Sequence, residues 1–128
     1  MKKIGNITKE PGAETTDDEI RVAWFLIELG FNIKFLRANR AKGSKTPDIV
    51  IDNVKWEIKT PRKAKENTLD HAMKKGLKQS VNLIFDLRKM RNTGEKASRK
   101  LQREFKLHKK WKRLWIITTE DKLLTFEK

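Results

Sequence analysis

The stretch Pro47-Asp48-Ile49-Val50-Ile51-Asp52-Asn53-Val54-Lys55-Trp56-Glu57-Ile58-Lys59 leaves the chain little freedom in how it can fold. Apolar and polar residues alternate on either side of Asp52-Asn53, a dipeptide that tolerates the left-handed backbone of a tight two-residue loop. With that loop the register follows: Ile51 faces Val54, Val50 faces Lys55, Ile49 faces Trp56 and Asp48 faces Glu57. Directly opposed residues share one face of an antiparallel pair, with Cβ atoms about 4.5–5.5 Å apart. Lys59 lies two residues beyond Glu57, so the pleat brings it to the same face. Ile49, Ile51, Trp56 and Ile58 point the other way and supply the core contact.

Two carboxylates and an ammonium are thereby aimed at one point. Like charges directly opposed across a strand pair repel. A hard divalent ion resolves that conflict, because Mg²⁺ takes a few carboxylate oxygens together with water and phosphate. Lys59 would then neutralise charge developing on a phosphate or orient an attacking water. The residues alone leave a second reading open, a solvated strand face in a chain that is 38% charged.

Pro47-Asp48 followed by Glu57-x-Lys59 resembles the PD-(D/E)xK motif of restriction-endonuclease-like nucleases. Around it, the chain is most similar to the C-terminal tRNA-nuclease domains of contact-dependent growth inhibition toxins. Those domains open on a helix with Glu and a small residue four later, then a Leu-x-x-x-Gly ending, here Glu19, Ala23, Leu26 and Gly30. The resemblance spans about residues 15–87. It implies an α/β fold, a restriction-endonuclease-like mixed sheet flanked by helices. It implies Mg²⁺ or Mn²⁺ held by Asp48 and Glu57 with Glu19 as a third carboxylate, and Lys59 assisting the water or the phosphate. Gln79, just before a strand, matches a polar residue that related nucleases place near the metal. The resemblance further implies tRNA as the substrate, favoured over DNA. It also implies an acidic immunity protein as a partner, and action in the cytoplasm of a target cell after delivery within a larger secreted toxin.

Charge supports a polyanionic partner on independent grounds. The 128 residues carry a formal charge of +14, which favours nucleic acid. Residues 88–113 hold twelve Lys or Arg against Glu95 and Glu104, and so carry +10 of that excess. Ala97, Leu101 and Phe105 give the segment a narrow apolar stripe, which predicts a helix with a wide basic face. Arg99, Lys100 and Arg103 are its candidate phosphate contacts, with Arg37, Arg40, Lys42 and Lys45 of the loop before Asp48. The absence of cysteine excludes a disulfide framework and a thiolate zinc site. His71 and His108 sit in polar, basic stretches and read as surface residues. No segment approaches the roughly 18 apolar residues of a membrane span, and Met1-Lys2-Lys3 is followed by no apolar run of a secretory signal.

The remaining pattern predicts one domain over residues 16–128 after an extended lead-in over 1–15. Thr16 with Glu19 forms a capping box, opening a helix to Leu29 with two apolar stripes, and so a helix packed on more than one face. Glu19 therefore has a purely structural reading beside the functional one. A strand over Phe31–Phe35, a helix from Asn67 or Thr68 to Gln79 and a buried strand over Val81–Leu87 follow. Two closing strands, Leu114–Ile117 and Lys122–Phe126, are joined at Glu120-Asp121 and expected to flank the sheet. Besides the tRNA nuclease, the residues admit a DNA endonuclease of a mobile element or repair system, and a basic nucleic-acid-binding module without catalysis.

Overall fold

The hairpin forms in the expected register as far as Ile49, but Asp48, expected to face Glu57, bonds instead to the Trp56 carbonyl and the Ile58 N–H. Ile49 pairs with Trp56, Val50 with Lys55 and Ile51 with Val54, and the loop residues Asp52 and Asn53 have φ of 49° and 67°. Both are left-handed, as a two-residue primed turn requires. The structure, a computed structural model, describes residues 3–37, 48–62 and 68–128. Among them are seven strands and three helices, a mixed α/β fold. The chain divides into two compact units, Met1–Ile58 and Lys59–Lys128.

In the first unit, β1 (Ile7–Lys9) runs parallel to β2 (Ile33–Phe35), β2 antiparallel to β3 (Ile49–Ile51), and β3 antiparallel to β4 (Val54–Lys59), whose last residue begins the second unit. Ile33, Phe35, Ile49, Ile51, Trp56 and Ile58 are all buried. β1 falls within the lead-in and was not expected as a strand. Its three residues, Ile-Thr-Lys, are half-buried to exposed, so no apolar alternation marks them.

Helix α1 (Asp17–Glu28) begins as its sequence dictates. The Thr16 hydroxyl accepts from the Glu19 N–H at 3.1 Å, and the Thr16 N–H donates to Glu19 Oε1 at 2.8 Å. Gly30, at φ 97°, ends it, donating its N–H to the Ile27 carbonyl. Only one face is buried, formed by Val22, Ala23, Leu26 and Ile27. The expectation of two packed faces fails, since Trp24 is 57% exposed and Leu29 38%.

The second unit contains α2 (Thr68–Gln79), β5 (Asn82–Asp86), α3 (Gly94–Leu107), β6 (Arg113–Ile117) and β7 (Leu123–Glu127). β5 pairs with β6 in parallel, with α3 as the crossover, and β6 pairs with β7 antiparallel. β6 is therefore the middle strand of the three rather than a flanking one, and Leu114, Ile116 and Ile117 are fully buried. The core joins Leu69 and Met73 of α2, Leu83 and Phe85 of β5, Ala97, Leu101 and Phe105 of α3, and Trp111. Trp111 meets Phe105 edge-on, with centroids 5.4 Å apart, and its indole N–H donates to the Arg113 carbonyl at 2.9 Å. Burial of a tryptophan is thus reconciled with its polar atom.

The basic segment is helical only over α3. Before it, the Asp86 carboxylate holds Arg88 through the backbone N–H at 3.1 Å, Nε at 2.9 Å and a terminal nitrogen at 2.8 Å. That clamp turns the chain out of the strand.

Candidate active site

The hairpin positions the two motif carboxylates. Asp48 precedes β3, and its N–H donates to the Trp56 carbonyl at 3.0 Å, extending the ladder by one bond. Its carbonyl accepts from the Leu36 N–H at 3.0 Å. Its side chain reaches across to β4, where Oδ2 accepts from the Ile58 N–H at 2.9 Å. Glu57, the neighbour of Ile58, is 3% exposed. β4 is buried on both faces at Trp56-Glu57-Ile58, so Glu57 does not belong to a solvated strand face. Removing a carboxylate from water without a compensating charge costs several kcal/mol or forces a proton onto the site.

Asp48 shows the same effect. Its carboxyl is pushed up from 3.8 to about 9, first by burial, then by the charge of Glu57. Glu19 contributes by its charge and by a side-chain hydrogen bond to Asp48, while the Ile58 N–H pulls the other way. Glu19 consequently makes two contacts. One oxygen closes the capping box of α1, and the same carboxylate group reaches Asp48. Carboxyl groups from α1 and from the middle of β4 thus both act on Asp48 within the first unit.

Lys59 ends β4, and its ammonium donates to Gln79 Oε1, the last residue of α2, at 3.5 Å. Gly76, one turn earlier, lets that helix close on β5: a Cβ there would lie 2.9 Å from Leu83 Cδ2. Gln79 is thus brought to the motif lysine. Arg37 is exposed, with its N–H donating to Glu10 at 2.9 Å. Arg40, Lys42 and Lys45 lie outside the described residues, as does Pro47. On α3, Arg99 pairs with Glu95 at 3.1 Å and Lys100 with Asp70 at 3.1 Å, while Arg103 is exposed. His71 and His108 are both exposed.

The donor set fits a hard divalent cation. Oxygen ligands come together there, and burial with the charge of Glu57 holds one carboxyl well above the usual carboxylate range. Among the described residues, however, no group of three or more His, Asp or Glu is drawn into a ready ligand cage.

Comparison with known proteins agrees with this architecture. No curated protein matches the chain. A solved structure, the CdiA-CT/CdiI toxin and immunity complex from Burkholderia pseudomallei, contains a chain similar to this one at a TM-score of 0.68 and 13% identity. The match covers 97% of this chain and 100% of that one, which makes the two folds alike. The family model for the contact-dependent growth inhibition CdiA C-terminal domain matches residues 45–123, from just before Asp48 to the start of β7. The chain therefore belongs to the contact-dependent growth inhibition CdiA C-terminal domain family.

Proposed function

We propose that this domain is a toxin nuclease of the restriction-endonuclease-like type that hydrolyses phosphodiester bonds of tRNA with the help of Mg²⁺ or Mn²⁺. One observation carries the reading: buried Glu57 and half-buried Glu19 both bear on Asp48, whose carboxyl is pushed up to about 9, first by its own burial and then by the charge of Glu57. A fold gains nothing from such crowding, whereas a cation-binding site requires it. Asp48 and Glu57, with Glu19 as the third, would hold the ion. When bound, a divalent ion supplies Lewis-acid polarisation of the phosphodiester.

The chain's own groups complete the chemistry. The Ile58 N–H fixes the orientation of the Asp48 carboxylate, and the capping box fixes that of Glu19. Lys59, two residues beyond Glu57 on the same strand, neutralises charge that develops on the phosphate. Gln79 accepts from the Lys59 ammonium and so limits its rotamers. The formal charge of +14 favours a polyanionic substrate and equally suits an acidic immunity protein. The similar Burkholderia chain was solved with its own immunity protein. Delivery within a larger secreted protein follows from the same family reading. No helix among the described residues is long and apolar enough to cross a membrane.

The test is cleavage of bulk tRNA and of plasmid DNA by the purified protein, with Mg²⁺, Mn²⁺ or EDTA, beside Glu57→Gln. Cutting of tRNA alone, dependent on the ion and lost in the variant, is the expected result. Cutting of DNA alone keeps the site and discards the substrate. Binding without cutting under every condition refutes the catalytic reading and leaves a basic binding module.

A further inference from the structure

The cations left unused by this chemistry are gathered by the topology of the second unit. β5 and β6 run parallel, and each is entered from a helix, α2 before β5 and α3 before β6. The two helix-to-strand junctions are therefore brought to the same edge. The Val81 carbonyl ties them together, accepting from the N–H of Lys112 at 2.8 Å and of Arg113 at 3.4 Å. The junction after α3 carries Lys109, Lys110 and Lys112, all exposed, with no acidic residue among residues 108–112. Among the described residues these three lysines make no ion pair. Arg99 and Lys100, on the body of α3, are by contrast engaged with Glu95 and Asp70.

Lysines in the last turn of a helix have an ordinary explanation, attraction to the negative end of the helix dipole. That accounts for Lys78 and Lys106. It does not account for three more lysines past the helix end, whose mutual repulsion opposes folding unless an anion relieves it. The two large apolar side chains of this unit that stand most open to solvent, Val81 at 40% and Leu107 at 74%, occupy the same two junctions. Two residues before Val81 is Gln79, the partner of Lys59. The basic edge thus begins beside the motif lysine.

We infer that the paired α2–β5 and α3–β6 junctions are the docking surface for the sugar-phosphate backbone of the RNA substrate, with Lys109, Lys110 and Lys112 as its phosphate contacts. Protein interfaces are depleted in lysine, whereas phosphate backbones are bound largely through Lys and Arg. Leu107 and Val81 add apolar surface for a sugar or base edge. The inference rests on the nuclease reading, which makes a nucleic acid the partner for these cations.

The experiment measures binding of tRNA to the intact chain in EDTA, which prevents ion-dependent cutting, over a range of salt concentrations. The triple variant Lys109→Ala, Lys110→Ala, Lys112→Ala is compared with Lys96→Ala, Arg99→Ala, Arg103→Ala, which removes the same formal charge from the helix. The junction variant is expected to bind roughly 10–100-fold more weakly and to lower the slope of log affinity against log salt by about 2 to 3. The helix variant is expected to change affinity less than about threefold. Equal losses in both variants, or a larger loss in the helix variant, overturn the inference. So does an unchanged junction variant, which would leave the edge to an acidic protein. If the parent neither binds nor cuts tRNA, the nuclease reading falls and takes the inference with it.

Discussion

Replacing Asp48 with Asn should stabilise the ion-free domain at neutral pH and flatten its pH dependence. In the folded chain the Asp48 carboxyl holds its proton to about 9, against 3.8 for an ordinary carboxyl. Burial is the largest cause, followed by the charge of Glu57. Between these limits the folded state carries a proton that the unfolded state has released, so stability falls as pH rises. The contribution is fully favourable below about pH 4 and is lost progressively up to about 9. One proton gives a slope of at most about 1.4 kcal/mol per pH unit. Neighbouring carboxyls that share the titration spread it out, which leaves a difference of about 2–4 kcal/mol between pH 5 and 8. Asn keeps an oxygen for the Ile58 N–H and an amide donor for Glu19, so the geometry survives while the titration disappears. The assay is urea unfolding in EDTA at pH 5, 6, 7 and 8 for both proteins. The variant should gain on the parent as pH rises, and added Mg²⁺ should raise the stability of the parent alone. Parallel pH curves would refute the argument, because they would mean that Asp48 carries no unusual proton.

Three further substitutions test the frame around the site. Thr16→Ala removes the hydroxyl that accepts from Glu19 N–H and should cost about 1 kcal/mol in urea unfolding, recovered by Thr16→Ser. Gly76→Ala places a Cβ 2.9 Å from Leu83 Cδ2 and 3.1 Å from Cδ1. Leu83 is fully buried and cannot yield freely, so overpacking of about 1–3 kcal/mol should outweigh the helix-propensity gain of about 1 kcal/mol, seen as a lower melting temperature. Leu101→Ala, in the middle of α3 and fully buried, should cost about 2–5 kcal/mol by calorimetry while leaving the parent's affinity for Mn²⁺ intact.

How much of this was legible in the sequence depends on how local each cause is. The hairpin was, since a period of two and a left-handed dipeptide act over thirteen residues without help from elsewhere, and Asp48 and Glu57 came with it. The α1 capping box was legible for the same reason, being closed by residues three apart. β1 was not, because Ile7-Thr8-Lys9 becomes a strand only through its parallel partner β2, some twenty-five residues away. Nor was the middle position of β6, where two apolar strands of similar length looked alike until their pairing was known. The two stripes of α1 misled because apolar residues can stand in solvent, as Trp24 does.

The site divides along the same line. That Asp48 and Glu57 come near one another could be read from the hairpin, but the burial that chiefly raises the Asp48 carboxyl depends on what covers it. Glu19 could be read as a cap, whereas its bond to Asp48 depends on where α1 packs. The basic run shows the limit most clearly. Its sign and size are plain in the sequence, and a helical stripe directs attention to Arg99, Lys100 and Arg103. In the fold, two of these three are engaged with carboxylates, while the lysines past the helix end are brought by strand pairing to the edge where Gln79 meets Lys59. Net charge sums over the chain without regard to position, and so favours an anionic partner without choosing its class. Where that partner docks is decided by the cations that folding leaves unneutralised, and these cannot be told from the rest until each carboxylate has found its own neighbour.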